Sequence, residues 1–217
     1  MRPFTRAYNS FIVSLEYLDR LQLLVPEPAL EDIEKARTEA RSEALHRWKE
    51  ALANPTAVHR TIAAFRPVLE EWVGRHRGSL TFRLVQILTG HGCFGHYLHL
   101  VARREETPQC HHCGDPDDTA DHTMVVYPAW QNERRALTSA LGGRMLSLPS
   151  LVEAMIGSDE AWEAAACFAE AVMSAKEAAE REREVNALKK KAVKSTLALD
   201  AFSELQSVTT VKVLPYK

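Results

Sequence analysis

Apolar residues at helical spacing and helix-stop signals recur along this chain, while the alternation that marks strands is almost absent, so the sequence permits an all-α array of helices. Phe11, Leu15, Leu18, Leu21 and Leu24 repeat at helical spacing until Val25-Pro26-Glu27-Pro28 ends the run, which predicts a helix over about 9–24. From Ala29 to Ala53 breakers are nearly missing and charges sit four apart, as in Glu31 with Lys35 and Glu43 with Arg47. This segment reads as a long exposed helix stopped by Asn54-Pro55. Ile62, Phe65, Leu69 and Trp72 share a face over 56–73, and Pro67 should kink or split that helix. Gly78-Ser79 then offers a helix-ending glycine and an N-cap for a helix over 80–88, whose stripe is Leu84, Ile87 and Leu88.

The second half repeats the pattern. Pro128 to Gly142 is amphipathic through Trp130, Leu137 and Leu141, and Leu148-Pro149-Ser150 has the chemistry of a first helical turn. Ser158-Asp159 caps a helix expected from 160 to about 191, with Trp162, Ala166, Phe168, Ala169 and Val172 suited to packing and 176–184 solvated all round. Thr209 to Leu214 favours β structure but is too short to build a sheet. Four segments follow: helices over 1–78, a glycine turn with a metal-binding insert over 79–145, C-terminal helices over 146–191, and a tail of uncertain structure over 192–217.

The insert is set by Cys110, Cys113 and His122, spaced C-x2-C-x8-H. Thiolates and a neutral imidazole suit Zn²⁺, a borderline-soft ion that takes four N/S donors at about 2.0 to 2.3 Å. Gly114 follows the second thiol, where a knuckle needs φ > 0, and Asp115-Pro116-Asp117-Asp118 continues the turn. The fourth ligand position falls on Tyr127, whose phenol titrates near about 10 and ligates zinc poorly at neutral pH. Water, Asp121, His111 or His112 would have to stand in, giving a weak or partial zinc site. With four cysteines and no secretory signal, reduced thiols are expected, and Cys93 and Cys167 read as plain core residues.

Ahead of Cys110 runs Thr89-Gly90-His91-Gly92-Cys93-Phe94-Gly95-His96-Tyr97-Leu98-His99. Together with Cys110, Cys113, His122, Pro128 and Trp130, this resembles the C-terminal, post-polymerase part of the reverse-transcriptase polyprotein of insect non-LTR type-1 retrotransposable elements. There, a helix ending in T-G-H-G-x-F-x-x-Y-L-H leads into C-x2-C-x8-H-x4-C-P-x-[WF]; only Tyr127 departs from that pattern. The resemblance spans about Leu18 to Glu184, with the two central motifs its specific part. It implies a segment of an RNA-directed DNA polymerase polyprotein that also carries an endonuclease, in a truncated or degenerate copy. It implies neither catalytic centre here, since Asp117-Asp118 lie in a polar loop without the flanking strands a two-metal polymerase site needs.

Charge is divided unevenly. Residues 1–104 hold 15 Lys and Arg against 11 Asp and Glu, whereas 105–217 hold 12 against 18, so a nucleic-acid face belongs to the first part. The candidates are Arg75, Arg77, Arg83, Arg103 and Arg104 for phosphates, with Arg60 and Arg66 beside them, and His91, His96 and His99 for bases. The glycines of 90–95 have neither a preceding strand nor a Gly-Lys-Ser/Thr, so they mark a turn between helices with Phe94 and Tyr97 as core anchors. A non-catalytic RNA- or DNA-binding module is the leading expectation, and a helical protein-interaction module with a vestigial finger the alternative. A zinc hydrolase ranks last, because no glutamate sits at general-base spacing from the ligands. No stretch approaches a membrane span, an intracellular location is expected, and Lys189-Lys190-Lys191 with Lys194 would suit nuclear import.

Overall fold

The computed structural model describes residues 29–126 and 128–208, with side chains as far as Val193, and both the helix expected over 9–24 and the stretch 209–214 lie outside them. The fold is all-α: among the described residues there are helices and turns and no strand.

Helix α1 (Leu30–Ala51) is opened by the Asp32 carboxylate, which accepts from the Ala29 amide at 3.3 Å, and Glu43 pairs with Arg47 at 2.7 Å along its outer face. Only Ala36 and Ala40 are buried, as expected of a helix with few core anchors. Small side chains let it lie close to α3 (Leu69–Gly74), to which Lys49 is tied by an ion pair with Glu70 at 3.1 Å. The break around Pro67 separates α3 from α2 (His59–Phe65), so of the two outcomes expected at that proline, a kink or a split, the structure has the split. Phe65 meets Trp72 edge-on, and Trp72 stacks on Trp162 at 5.5 Å.

Helix α4 (Phe82–Thr89) begins two residues later than the sequence suggests. Thr81, not Ser79, is its N-cap, with Oγ1 accepting from the Leu84 amide at 3.2 Å; the Ser79 carbonyl instead accepts from Trp162 Nε1 at 3.3 Å. After α5 (Gly95–Leu100) comes the irregular insert, then a single 3₁₀ turn (Pro128–Trp130), α6 (Gln131–Ala140), α7 (Leu148–Gly157) and α8 (Asp159–Val208). Ser147 and Ser150 exchange hydrogen bonds at the start of α7, and Ser158 Oγ accepts from the Ala161 amide to start α8.

Helix α8 is the spine: α4, α6 and α7 pack along it, and α2 closes over α7. Leu84, Ile87, Phe94, Met124, Leu137, Leu151, Met155, Val172 and Met173 are fully buried in one cluster, each contributing about 1.5–3 kcal/mol relative to an exposed side chain. That cluster takes residues from Ala64 to Met173, so the first three sequence segments share one core.

Two expectations about α8 are corrected. The stretch 176–184 is not solvated all round, because Lys176 and Glu180 are buried and Glu177 accepts from Arg83 Nη2 at 2.8 Å and Gln86 Nε2 at 3.0 Å. The Arg83 hydrogen bond holds the Glu177 carboxyl below its usual range. The helix also continues past 191 to Val208. From 185 to 193 it is exposed, Val185, Leu188 and Val193 included. Cys167 is exposed rather than in the core, and the half-buried Cys93 donates to Glu180 Oε2 at 2.7 Å, with burial first and that carboxylate second pushing its thiol up to about 12. No helix among the described residues is long and apolar enough to cross a membrane.

Candidate metal centre

The insert is a loop folded back on its first thiol. The Cys110 amide donates to the Asp115 carbonyl at 2.8 Å, and the Gly114 amide donates to the Cys110 carbonyl at 2.9 Å. Gly114 takes φ 79°, the left-handed conformation a side chain would oppose, as its place after the second thiol predicts. Asp118 then ties the loop to its own start, its amide donating to the Pro108 carbonyl at 2.8 Å.

His122 comes from the other side. Thr119 Oγ1 accepts from the His122 amide at 3.0 Å and opens a helical turn that runs through a π-type segment (His122–Val126). Buried Ala120, Thr123 and Met124 fix that turn against the core, and Arg134 donates to the carbonyls of Met124 and Thr123. The result is convergence: the ligand atoms of Cys110, Cys113 and His122 all lie within 4.8 Å of one another, and Cys113 Sγ faces His122 Nε2 at 3.3 Å. Ligand atoms of a tetrahedral zinc site stand roughly 3.3 to 3.8 Å apart given bonds of about 2.0 to 2.3 Å, so these three need only a small contraction to share one ion. This group could hold a metal ion. Cys110 is buried, and that burial pushes its thiol up, so binding a metal there must release a proton.

Asp118 does the most to fix this geometry, and sequence reading passed over it as turn chemistry. It is 4% exposed, and its Oδ1 faces His122 Nδ1 at 3.3 Å, which leaves Nε2 directed at the thiols. Metal-binding histidines commonly have their other ring nitrogen held by a carboxylate in this way, because the contact sets both tautomer and ring orientation. The same carboxylate accepts from Lys176 Nζ at 2.9 and 2.8 Å and from the Gly95 amide at 3.0 Å. One side chain therefore joins the insert, α5 and α8. The available signal was the Asp118-x3-His122 spacing, which places a carboxylate one helical turn before a ligand.

The stand-ins weighed for the fourth ligand are engaged elsewhere or set apart. Asp121 is clamped by Arg60 at 2.8 and 2.7 Å, and His111 Nε2 faces Glu105 at 3.3 Å. His112 lines a small polar cavity with Asp118, Lys176 and Arg183, and burial lowers its pKa. Tyr127 lies outside the described residues.

The basic candidates are distributed along the α4–α8 side of the molecule and beyond it. Arg83 is paired with Glu170 and Glu177, Arg104 with Glu180 and Glu184, and Arg77 with Asp159 at 3.5 Å. Arg75 lies over the Trp72 ring at 4.0 Å and donates to the Trp72 carbonyl. His91 rests against Tyr97, His96 Nδ1 meets Asp117 at 2.7 Å, and His99 Nδ1 meets the Glu105 carbonyl at 3.0 Å. Arg103 is exposed in the turn after α5 with φ 57°. Internal carboxylates thus answer most of these charges.

No family model and no solved structure matches the chain. A curated relative does: over 112 residues the chain is 32% identical to the retrovirus-related Pol polyprotein from type-1 retrotransposable element R1 of Popillia japonica. The match takes in 51% of this chain and 43% of the relative, so the chain spans less than half the length of the protein it resembles. On that match the chain is related to retrotransposon Pol polyproteins, at low identity and over half its length.

Proposed function

We propose that this chain is a non-catalytic nucleic-acid-binding module of a retrotransposon polyprotein, the segment downstream of the polymerase, whose insert is organised by a zinc ion on Cys110, Cys113 and His122. The observation that carries the proposal is the approach of those three ligands with His122 oriented by Asp118. Zinc, when bound, would cross-link the loop to the turn that bears His122. The aspartate pair has other work, Asp118 in the buried ion pair and Asp117 beside His96, which supports a structural rather than a polymerase role. Residues that open on solvent beside the insert, Arg103, His96 and His91, are the ones to meet phosphate or an unpaired base. We place the chain inside the cell, where a nuclear site would suit such a module.

A second reading, a helical protein-interaction module, is favoured by the outer part of α8, where Val185, Leu188 and Val193 are exposed on a solvated helix. Titration of single-stranded RNA and duplex DNA across a salt series separates the two. Because most arginines are already paired, binding should show a shallow slope of log affinity against log salt, equivalent to about two to three phosphates, and should weaken when zinc is chelated. Affinity absent at low salt, or indifferent to zinc, would turn the choice to the protein-interaction reading.

Tyr127→Cys is expected to raise zinc retention by on the order of tenfold and to raise the melting temperature, since a thiolate in the fourth spacing position binds zinc better than any oxygen donor and metal-binding energy is folding energy in such a site. Competition with a chelator at one pH measures it. Equal or weaker retention by the variant would mean that position 127 does not reach the ion.

A further inference from the structure

We propose that the Asp115 carboxylate is the fourth donor, so that this insert binds zinc through two thiolates, one imidazole and one carboxylate. The inference rests on Cys110, Cys113 and His122 being the zinc site, and it assigns the position that Tyr127 leaves in question. Asp115 Oδ2 lies 3.9 Å from His122 Nε2, the same nitrogen that Cys113 Sγ faces at 3.3 Å. Its main chain is already part of the site, because the Asp115 carbonyl accepts from the Cys110 amide at 2.8 Å. The Asp117 amide donates to Oδ1 at 3.1 Å, which leaves Oδ2 on the side of the imidazole.

The Asp115 carboxylate stands outside the group whose ligand atoms all lie within 4.8 Å of one another, so it must turn to join them, and its side chain, 37% exposed, can do so without disturbing the core to make a zinc–oxygen bond of about 2.0–2.2 Å. Charge agrees with the assignment. Two thiolates and a carboxylate around Zn²⁺ leave the same net charge as three thiolates and an imidazole, so the buried Asp118–Lys176 pair nearby meets the electrostatic field of an ordinary Cys3His site. Asp121 lacks this opportunity, being held by Nε and Nη2 of Arg60.

The test uses the full chain loaded with zinc for affinity and with cobalt(II) for spectroscopy. Asp115→Asn should weaken zinc in chelator competition by tenfold or more, while Asp121→Asn should change it less than twofold. Asp115→Cys should keep or tighten binding and raise the sulfur-to-cobalt charge-transfer intensity by about half, as a third thiolate joins two. Equal zinc affinity in the wild type and Asp115→Asn would overturn the assignment and leave the three-ligand site standing. Failure of the wild type to bind stoichiometric zinc would overturn the site itself and the assignment with it. Should Asp115→Asn lose its helical signal, the cobalt spectrum of Asp115→Cys decides, and unchanged intensity there counts against Asp115.

Discussion

Asp118→Ala should destabilise the folded chain by about 3–5 kcal/mol, the usual result of removing one partner from a buried ion pair. Lys176 is 3% exposed, and without Asp118 its ammonium would keep the Phe94 ring, which it faces at 5.4 Å, but lose the carboxylate that offsets most of its desolvation. The Gly95 amide would lose its acceptor at the same time, and His122 would lose the contact that orients Nε2. Urea denaturation with zinc chelated isolates the stability effect, and a zinc competition isolates the ligand effect, expected at about 10–100-fold for a lost carboxylate behind a metal-binding histidine. Pairing Asp118→Ala with Lys176→Met should recover much of the stability, because a methionine fills the space without a charge, but none of the zinc affinity. A loss below about 1 kcal/mol in the single variant would show that solvent reaches the pair and that it does not hold the insert to α8.

Much of the fold could be read from the sequence because its signals were local. Pro67 divides a helix, Ser158 caps one, Gly114 turns the knuckle, and the Trp162-to-Val172 face packs, each for a reason contained within a few residues. The approach of Cys110, Cys113 and His122, a group that could hold a metal ion, was legible for the same reason, since all three belong to one short insert. What escaped notice was non-local. Lys176 and Glu180 sit in a run so rich in charge that it reads as solvent-facing, yet they continue the stripe of Ala169, Val172 and Met173 at helical spacing and are buried because Asp118 and the Cys93 thiol arrive from distant loops. Likewise Arg83 and Arg104 look like phosphate-binding groups until α8 places Glu177 and Glu180 beside them. A charge in the sequence has no partner until the fold supplies one.

The same lesson bears on the glycines of the turn. Gly95→Ala should cost about 1–3 kcal/mol and weaken zinc binding, although alanine is ordinarily the better residue in a helix. A Cβ at Gly95 would stand 2.5 Å from the Pro108 carbonyl oxygen and 2.8 Å from that of Gln109, and both are backbone atoms that cannot swing aside. The strand of loop just before Cys110 would have to move off α5, stretching the Gly95 amide from Asp118 and so loosening His122. This close approach gives a physical reason for the glycine turn and the finger to occur together. Gly157, at the end of α7, is the control: nothing lies within 4 Å of its would-be Cβ, so Gly157→Ala should stabilise by about 0.4–1 kcal/mol through the unfolded chain. Thermal melts of the two variants, with and without zinc, should therefore shift in opposite directions, and only Gly95→Ala should shrink the zinc-dependent gain. If Gly95→Ala melts with the wild type and retains zinc equally, the loop is not seated on α5 and the ligands reach the ion by some other path.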